Sequence, residues 1–221
     1  MSTSAERAYK FIRSSILSGR YGSGTRLKEQ EIASALAISR TPVRDAIRRL
    51  HSDGLIDFEP NQGARVTTWS KVDLTEISEM RALLESFAAE LAAAKIGGSE
   101  LDELGRHTDA MQKALAGNEP RIDQISAANL AFHQGIVRAA GNTRLLLIIE
   151  GLWVLPLVAR KFALFDRASL EQSISHHREI TRALRAHDGD WASAIMRAHI
   201  LAARGYDSML AGITAEAGKA V

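Results

Sequence analysis

The chain of 221 residues is predicted to be mainly α-helical and to fall into two parts. A small N-terminal unit of short helices and a hairpin covers residues 1–70, and an all-helical antiparallel bundle of six helices covers 71–221. Three observations predict this. Apolar residues recur every three to four positions through most of the chain, the spacing of buried helix faces. Residues 55–68 depart from that period and alternate between turn signals. Charge is also divided. Residues 1–70 hold 11 Lys/Arg and 7 Asp/Glu, a net of +4, whereas 71–221 hold 17 and 19, a net of −2. A basic front piece on a mildly acidic body implies a polyanionic partner for the first part alone.

In the front piece, Ala8, Ile12 and Ile16 share one helix face, and Gly19 ends that helix. Tyr21 to Gly24 reads as a turn. A second helix over about 28–36 buries Ile32 and Leu36, and Ala37-Ile38 forms a tight connection. The third helix carries the most chemistry. Pro42 lacks an N–H and is tolerated only in a first turn, beside the capping hydroxyls of Ser39 and Thr41. Val43, Ile47 and Leu50 form its buried stripe, while Arg40, Arg44 and Arg48 step four apart along another face. A helix N-terminus attracts phosphate, and an arginine fork matches guanine O6 and N7 at about 1–3 kcal/mol of discrimination. Two helices joined by so short a turn, the second basic, form the helix-turn-helix pattern. After the Asp53-Gly54 turn, Leu55, Ile56 and Phe58 read as a strand, Pro60 to Gly63 as a turn and Ala64 to Thr68 as the returning strand. That hairpin is a wing, and Gly63 permits close approach of backbone to a phosphate or minor groove.

These segments resemble the N-terminal domain of GntR-type bacterial transcription regulators. The resemblance rests on Leu17-x-Gly19, Gly24-Thr25-x-Leu27, Ser39-Arg40-Thr41-Pro42-Val43-Arg44, and Asp53-Gly54-Leu55-Ile56 followed by Gly63-x-x-Val66. It covers about residues 8–68 in order and spacing. It implies DNA contacts from Ser39, Arg40, Thr41 and Arg44, with Gly63 at the wing tip; Arg48 is added from its place on the same helix face.

From Ser70-x-x-Asp73, a capping-box pattern, the rest is helical in period. Helices are expected over 71–96, 99–116, 121–140, 143–165, 167–187 and 190–210, with a frayed tail after Ala211. Polar residues interrupt several apolar faces. Asn129 and His133 lie four apart on the stripe of Ile122, Ile125 and Ile136. His177 shares a stripe with Leu170, Ile174 and Leu184, and His199 follows Ile195 and Met196. Imidazoles and an amide oxygen from facing helices suit Zn²⁺, Ni²⁺ or Mn²⁺, although a lone core histidine is more often hydrogen-bonded. His176 competes with His177, but its stripe passes Ser169 and Ser173, which look less buried. Arg81 lies on an inward stripe with Ile77 and Leu84. It reads either as a surface pair with Glu85 or as an anion-binding fork, since an inward arginine needs an anion. Trp153 and Phe162 are candidates to line a pocket, though packing explains them equally well, and they read as core.

The second half resembles the FCD ligand-binding bundle of the FadR-type branch of the same family. The marks are Arg81-x-x-Leu84-Glu85, Asn129-x-x-Phe132-His133, His177-Arg178-x-Ile180 and Ala194-x-Met196-x-x-His199-Ile200. The resemblance implies a divalent metal at Asn129, His133, His177 and His199, where metal-binding members have Asp, His, His and His. An amide in place of a carboxylate supplies an oxygen without charge, which lowers the expected affinity.

The expected function is a DNA-binding transcription regulator, a repressor by default. It acts as a homodimer on a palindromic operator and responds to a small carboxylate held by metal and Arg81. A cytoplasmic location fits. Cysteine is absent, so disulfides and thiolate chemistry are excluded. There is no secretory signal, no apolar run of the ~20 residues that span a bilayer, and no glycine-rich phosphate loop. The rival reading is a metal-dependent enzyme with an accessory basic segment; against it stand the lack of a His-Glu-x-x-His run and of an evident general base. A third is an architectural DNA-binding protein with structural histidines.

Overall fold

The computed structural model describes residues 3–17, 20–59, 63–68, 70–153, 161–207 and 209. The chain divides into two compact units, the first of Met1–Lys71 with Met209–Val221 and the second of Val72–Ser208.

In the first unit, α1 (Ser4–Leu17) packs on α3 (Arg40–Ser52), and α2 (Glu29–Leu36) fits beside both. The shared core contains Ala8, Ile12, Ile16, Ile32, Val43, Ala46, Ile47 and Leu50, all buried, which are the residues a 3.6-residue period places on one face. Leu36, expected inside, is only half-buried. The turn from α2 to α3 is closed by Ala37 in the left-handed region (φ 52°), whose N–H donates back to Ala33 and Ser34. Ser39 is the N-cap of α3 with extended backbone but no side-chain capping bond, and Pro42 falls in the first turn, where its missing N–H leaves no gap. The wing pairs β1 (Ile56–Glu59) with β2 (Gly63–Val66), Ile56 opposite Val66 and Glu59 opposite Gly63. A third edge was not expected. Leu27 N–H donates to Ala64 O, Val66 N–H to Thr25 O, and Arg26 bridges Arg65. Gly19 and the turn residues 60–62 lie outside the described residues.

The second unit is helical throughout its described length: α4 (Lys71–Ala93), α5 (Gly98–Leu115), α6 (Ile122–Ala139), α7 (Thr143–Glu150), α8 (helical over 161–164), α9 (Arg167–Arg185) and α10 (Gly189–Ala202), with a 3₁₀ turn over Ala203–Tyr206. Side chains cap several starts: Asn142 accepts from Leu145 N–H, Asp166 from Ser169 N–H and Asp188 from Trp191 N–H. α5 packs on α6 and α9, and α9 on α10. The face of α4 turned to the core is lined by small residues, Ala82, Ala88, Ala89, Ala92 and Ala93, which lets neighbouring helices approach closely.

The helix expected over 143–165 is not continuous. It ends at Glu150, with turn residues at 151–152. Gly151, the C-cap residue, is a poor helix former; residues 154–160 lie outside the described residues. The last helix gives way to 3₁₀ geometry over Ala203–Tyr206, and Asp207 and Met209 are again helical, so the helix expected to residue 210 is interrupted; the tail after Ala211 lies outside the described residues. No helix among the described residues is long and apolar enough to cross a membrane.

Candidate functional site

Two groups of side chains have functional geometry, one in each unit. On α3, Ser39, Arg40, Thr41, Arg44 and Arg48 are all exposed, and Gly63 is exposed with φ +83°. The arginines do not reach freely into solvent. Glu29 on α2 accepts from Arg40 Nη2 at 2.9 Å, and from Arg44 Nε and Nη2 at 3.0 and 2.9 Å. The hydrogen bond from Arg44, then that from Arg40, lowers the Glu29 pKa to about 2 against the cost of burial. One carboxylate therefore fixes both guanidinium planes. Arg48 has only a long contact with Asp45 at 3.9 Å. Arg49, on the same helix, is structural: it pairs with Glu6 at 2.9 Å and stacks over Tyr9. The role of Glu29 was not read from sequence.

In the bundle, His133 on α6, His177 on α9 and His199 on α10 are buried and adjacent. His199 Nε2 stands 3.1 Å from His133 Nε2 and 3.3 Å from His177 Nε2. Ordinary hydrogen bonding does not satisfy all three. His133 Nδ1 lies 2.5 Å from the Glu85 carboxylate; a carboxylate only accepts, so Nδ1 carries a hydrogen, and in the neutral ring Nε2 is then left with a lone pair. A single hydrogen on His199 Nε2 serves one neighbour and leaves the other contact lone pair to lone pair. A shared cation removes the conflict: nitrogens about 2.0–2.1 Å from one ion stand about 3.0–3.4 Å apart. Burial, then the neighbouring imidazoles, pushes the pKa values of His177 and His199 well below the usual histidine value, so both are neutral at neutral pH, the form in which imidazole can bind a metal. Asn129, one turn before His133, is buried with an unpartnered Oδ1. The residues present fit a divalent ion.

Glu85 is fully buried, and its oxygens accept from Arg81 Nε at 2.7 Å, Trp153 Nε1 at 3.1 Å and His133. Burial alone would raise its pKa, but Arg81 and His133 outweigh that and hold it well below the carboxylate range. The expected Arg81–Glu85 pair thus exists, but not on the surface, and the anion that an inward arginine requires is Glu85 itself. Arg81 makes no other hydrogen bond with a described residue, and it lines a cavity. Asn129, His133, His199 and Phe162 line it too, as does Lys161, which donates to Asp207 at 2.5 Å. His177 sits behind, stacked on Phe132 at 3.9 Å. Ser173, expected near the surface, is buried, and with Ser169 and His176 it forms part of the cavity wall. Trp153 is buried and fastens Glu85.

Residues 4–66 match the family described as "Bacterial regulatory proteins, gntR family", and residues 76–202 match the "FCD domain". The chain belongs to the GntR family. It is 33% identical over 200 residues (90% of this chain, 87% of the relative) to the "Probable D-xylose utilization operon transcriptional repressor" of Paenarthrobacter nicotinovorans. It is 29% identical over 201 residues (87% and 90%) to the "HTH-type transcriptional repressor GlaR" of Escherichia coli K12. The solved structure of E. coli McbR/YncC superposes with a TM-score of 0.74 at 26% identity, covering 91% of this chain and 95% of that one. This GntR protein is a transcription regulator rather than an enzyme. Glu85 bonds the outer nitrogen of His133 and orients the ring.

Proposed function

We propose that this GntR regulator is a repressor whose operator affinity is set by a small organic acid bound at a metal site in the FCD bundle. The convergence of three buried imidazole Nε2 atoms, one with its tautomer fixed by Glu85, carries the reading. His133, His177, His199 and the amide oxygen of Asn129 would hold Zn²⁺, Ni²⁺ or Mn²⁺, which supplies open coordination positions for ligand oxygens. The Nη groups of Arg81 receive a carboxylate in the same cavity. Glu85 fixes the outer nitrogen of His133, the kind of support that commonly sustains metal affinity.

At the other end, Ser39, Arg40, Thr41 and Arg44 contact the operator from the first turns of α3. Arg48 adds a contact one turn on, and Gly63 brings the wing backbone to the duplex. Two such units in a homodimer read a palindrome with half-site centres about 34–36 Å apart. An effector that prefers the dimer geometry unfit for DNA lowers operator affinity by the factor that DNA lowers its own binding, typically about 5–150-fold. Elemental analysis of the purified protein, joined to gel shifts on its own upstream DNA with and without organic acids, tests the proposal. Stoichiometric metal and an acid-dependent shift are expected. Metal-free protein that responds to no carboxylate contradicts it.

A further inference from the structure

A groove between α5 and α9 shares no lining residue with the histidine cavity. Arg178, Arg182 and Arg185 line it from α9 at spacings of four and three residues, so they form one stripe that rises about 10 Å along the helix. Asp109 joins them from α5. These charges are unmatched. Arg178 donates to the neutral amide of Gln112 at 3.0 Å, and Arg182 lies over the Trp191 ring at 5.6 Å. Among the described residues none of the three arginines is held in an ion pair, whereas Arg49 is paired with Glu6, Arg81 with Glu85 and Arg204 with Glu79. The last turn of a helix favours cations, which accounts for Arg182 and Arg185 singly. It does not account for their alignment with Arg178 along one concave wall.

The extent of this positive field selects the ligand. Three guanidiniums and one carboxylate leave +2 in the groove. Past Arg185 the chain continues to Asp188 and Asp190, and one turn before Gly105 α5 carries Asp102, all exposed. A long polyanion lying along the stripe would run on to those carboxylates, so a compact anion fits better than a duplex or an acidic chain. A phosphate monoester carries about −1.5 to −2 at pH 7 on three acceptor oxygens, and guanidinium forks match such oxygens in pairs. A carboxylate would occupy one fork and leave the others open. Asp109 repels bare phosphate, yet it accepts a hydrogen bond from a hydroxyl of the same molecule. Gly105 keeps room for that hydroxylated part, because a Cβ there would meet nothing within 4 Å.

We propose that the α5–α9 groove is a second small-molecule site of this regulator, which takes a phosphorylated sugar or polyol. Arg178, Arg182 and Arg185 hold the phosphoryl group, and Asp109 reads a hydroxyl. The site is independent of the metal and of the acid beside it.

Calorimetric titration of the full-length protein with glucose 6-phosphate, ribose 5-phosphate, glycerol 3-phosphate, inorganic phosphate and glucose tests this. It is repeated on Arg185→Ala, Arg185→Gln, Asp109→Asn and the Arg40→Ala, Arg44→Ala double variant. At least one ester should bind saturably and tighter than inorganic phosphate or glucose. Either Arg185 variant should weaken that ester about tenfold or more, as loss of a charge-assisted hydrogen bond does, with melting unchanged for at least one of them. The α3 double variant should bind it as wild type does. Asp109→Asn should tighten inorganic phosphate and shrink the margin of the ester over it. The proposal is overturned if no ester binds, if the ester binds no tighter than phosphate or glucose, or if Asp109→Asn leaves the margin as it was. Ester affinity untouched by both Arg185 variants would move the anion to the histidine cluster, and affinity lost only in the double variant would move it to α3; either result also overturns it.

Discussion

The two units place their chemistry in opposite surroundings. On α3 the functional groups are charged, exposed and drawn from ten consecutive residues, Ser39 to Arg48. In the bundle they are mostly neutral, buried and drawn from α4, α6, α9 and α10 across more than a hundred residues of chain. A surface that meets a polyanion gains from permanent charge, which water and the Glu29 carboxylate tolerate. The proposed metal site needs imidazoles that are neutral, and burial of His177 and His199 favours that form. Yet each unit uses one carboxylate for the same task. Glu29 holds two arginines in place and Glu85 holds a histidine and an arginine.

The largest effect should separate the units outright. Arg40→Ala combined with Arg44→Ala should weaken operator binding by about a hundredfold or more, since each lost arginine fork is worth about 1–3 kcal/mol. Metal content should be unchanged. Footprinting that remained at wild-type protein concentration would remove these arginines from the interface.

Glu85→Gln probes the buried carboxylate with little change of shape. It loses the charge that fixes the His133 tautomer and balances Arg81, so metal affinity should fall about 10–100-fold. Competition with a chromophoric chelator measures this, and unaltered affinity would reduce Glu85 to packing. Operator binding by the effector-free protein should change far less than in the arginine variant.

A smaller, mixed effect is expected from Glu29→Gln. Removing a negative charge near phosphates should strengthen binding to random duplex, while freeing Arg40 and Arg44 should weaken discrimination. The ratio of operator to random affinity therefore drops several-fold. Acid adds a signed test. The folded pKa, about 2, lies below the ordinary 4.5, so the clamp's contribution is complete above about pH 5 and lost as pH falls through 2. Any stability gap between wild type and Glu29→Gln should narrow on acidification and not widen.

The smallest change is conformational. Ala37 holds φ 52° at the turn between α2 and α3, a region that costs an L-residue roughly 1–2 kcal/mol. Ala37→Gly should relieve part of that and raise the melting temperature of the N-terminal unit slightly; a clear fall would show that the side chain packs usefully.

The same contrast explains what could be read from the sequence. The arginine helix, its proline start and the hairpin are local patterns, and the structure has α3, β1 and β2 where period and turn signals place them. The inward histidines were visible as polar breaks in apolar stripes. Their partners were not. Glu85 meets His133 across 48 positions of sequence, whereas sequence reading paired it only with Arg81, one turn away on the same helix. Ser173 was misread because a serine lining an internal cavity and one facing solvent leave the same mark in a helical period. The overlong helix at 143–165 came from weighting apolar content above Gly151.

The central claim is that one ion joins the three imidazoles, and an anomalous diffraction scan across the manganese, nickel and zinc edges tests it most directly. A single peak about 2.0–2.2 Å from the Nε2 atoms of His133, His177 and His199, with the Asn129 oxygen beside it, is the predicted result. Crystals of protein supplied with metal that show no peak there, or one bound elsewhere in the bundle, would contradict it.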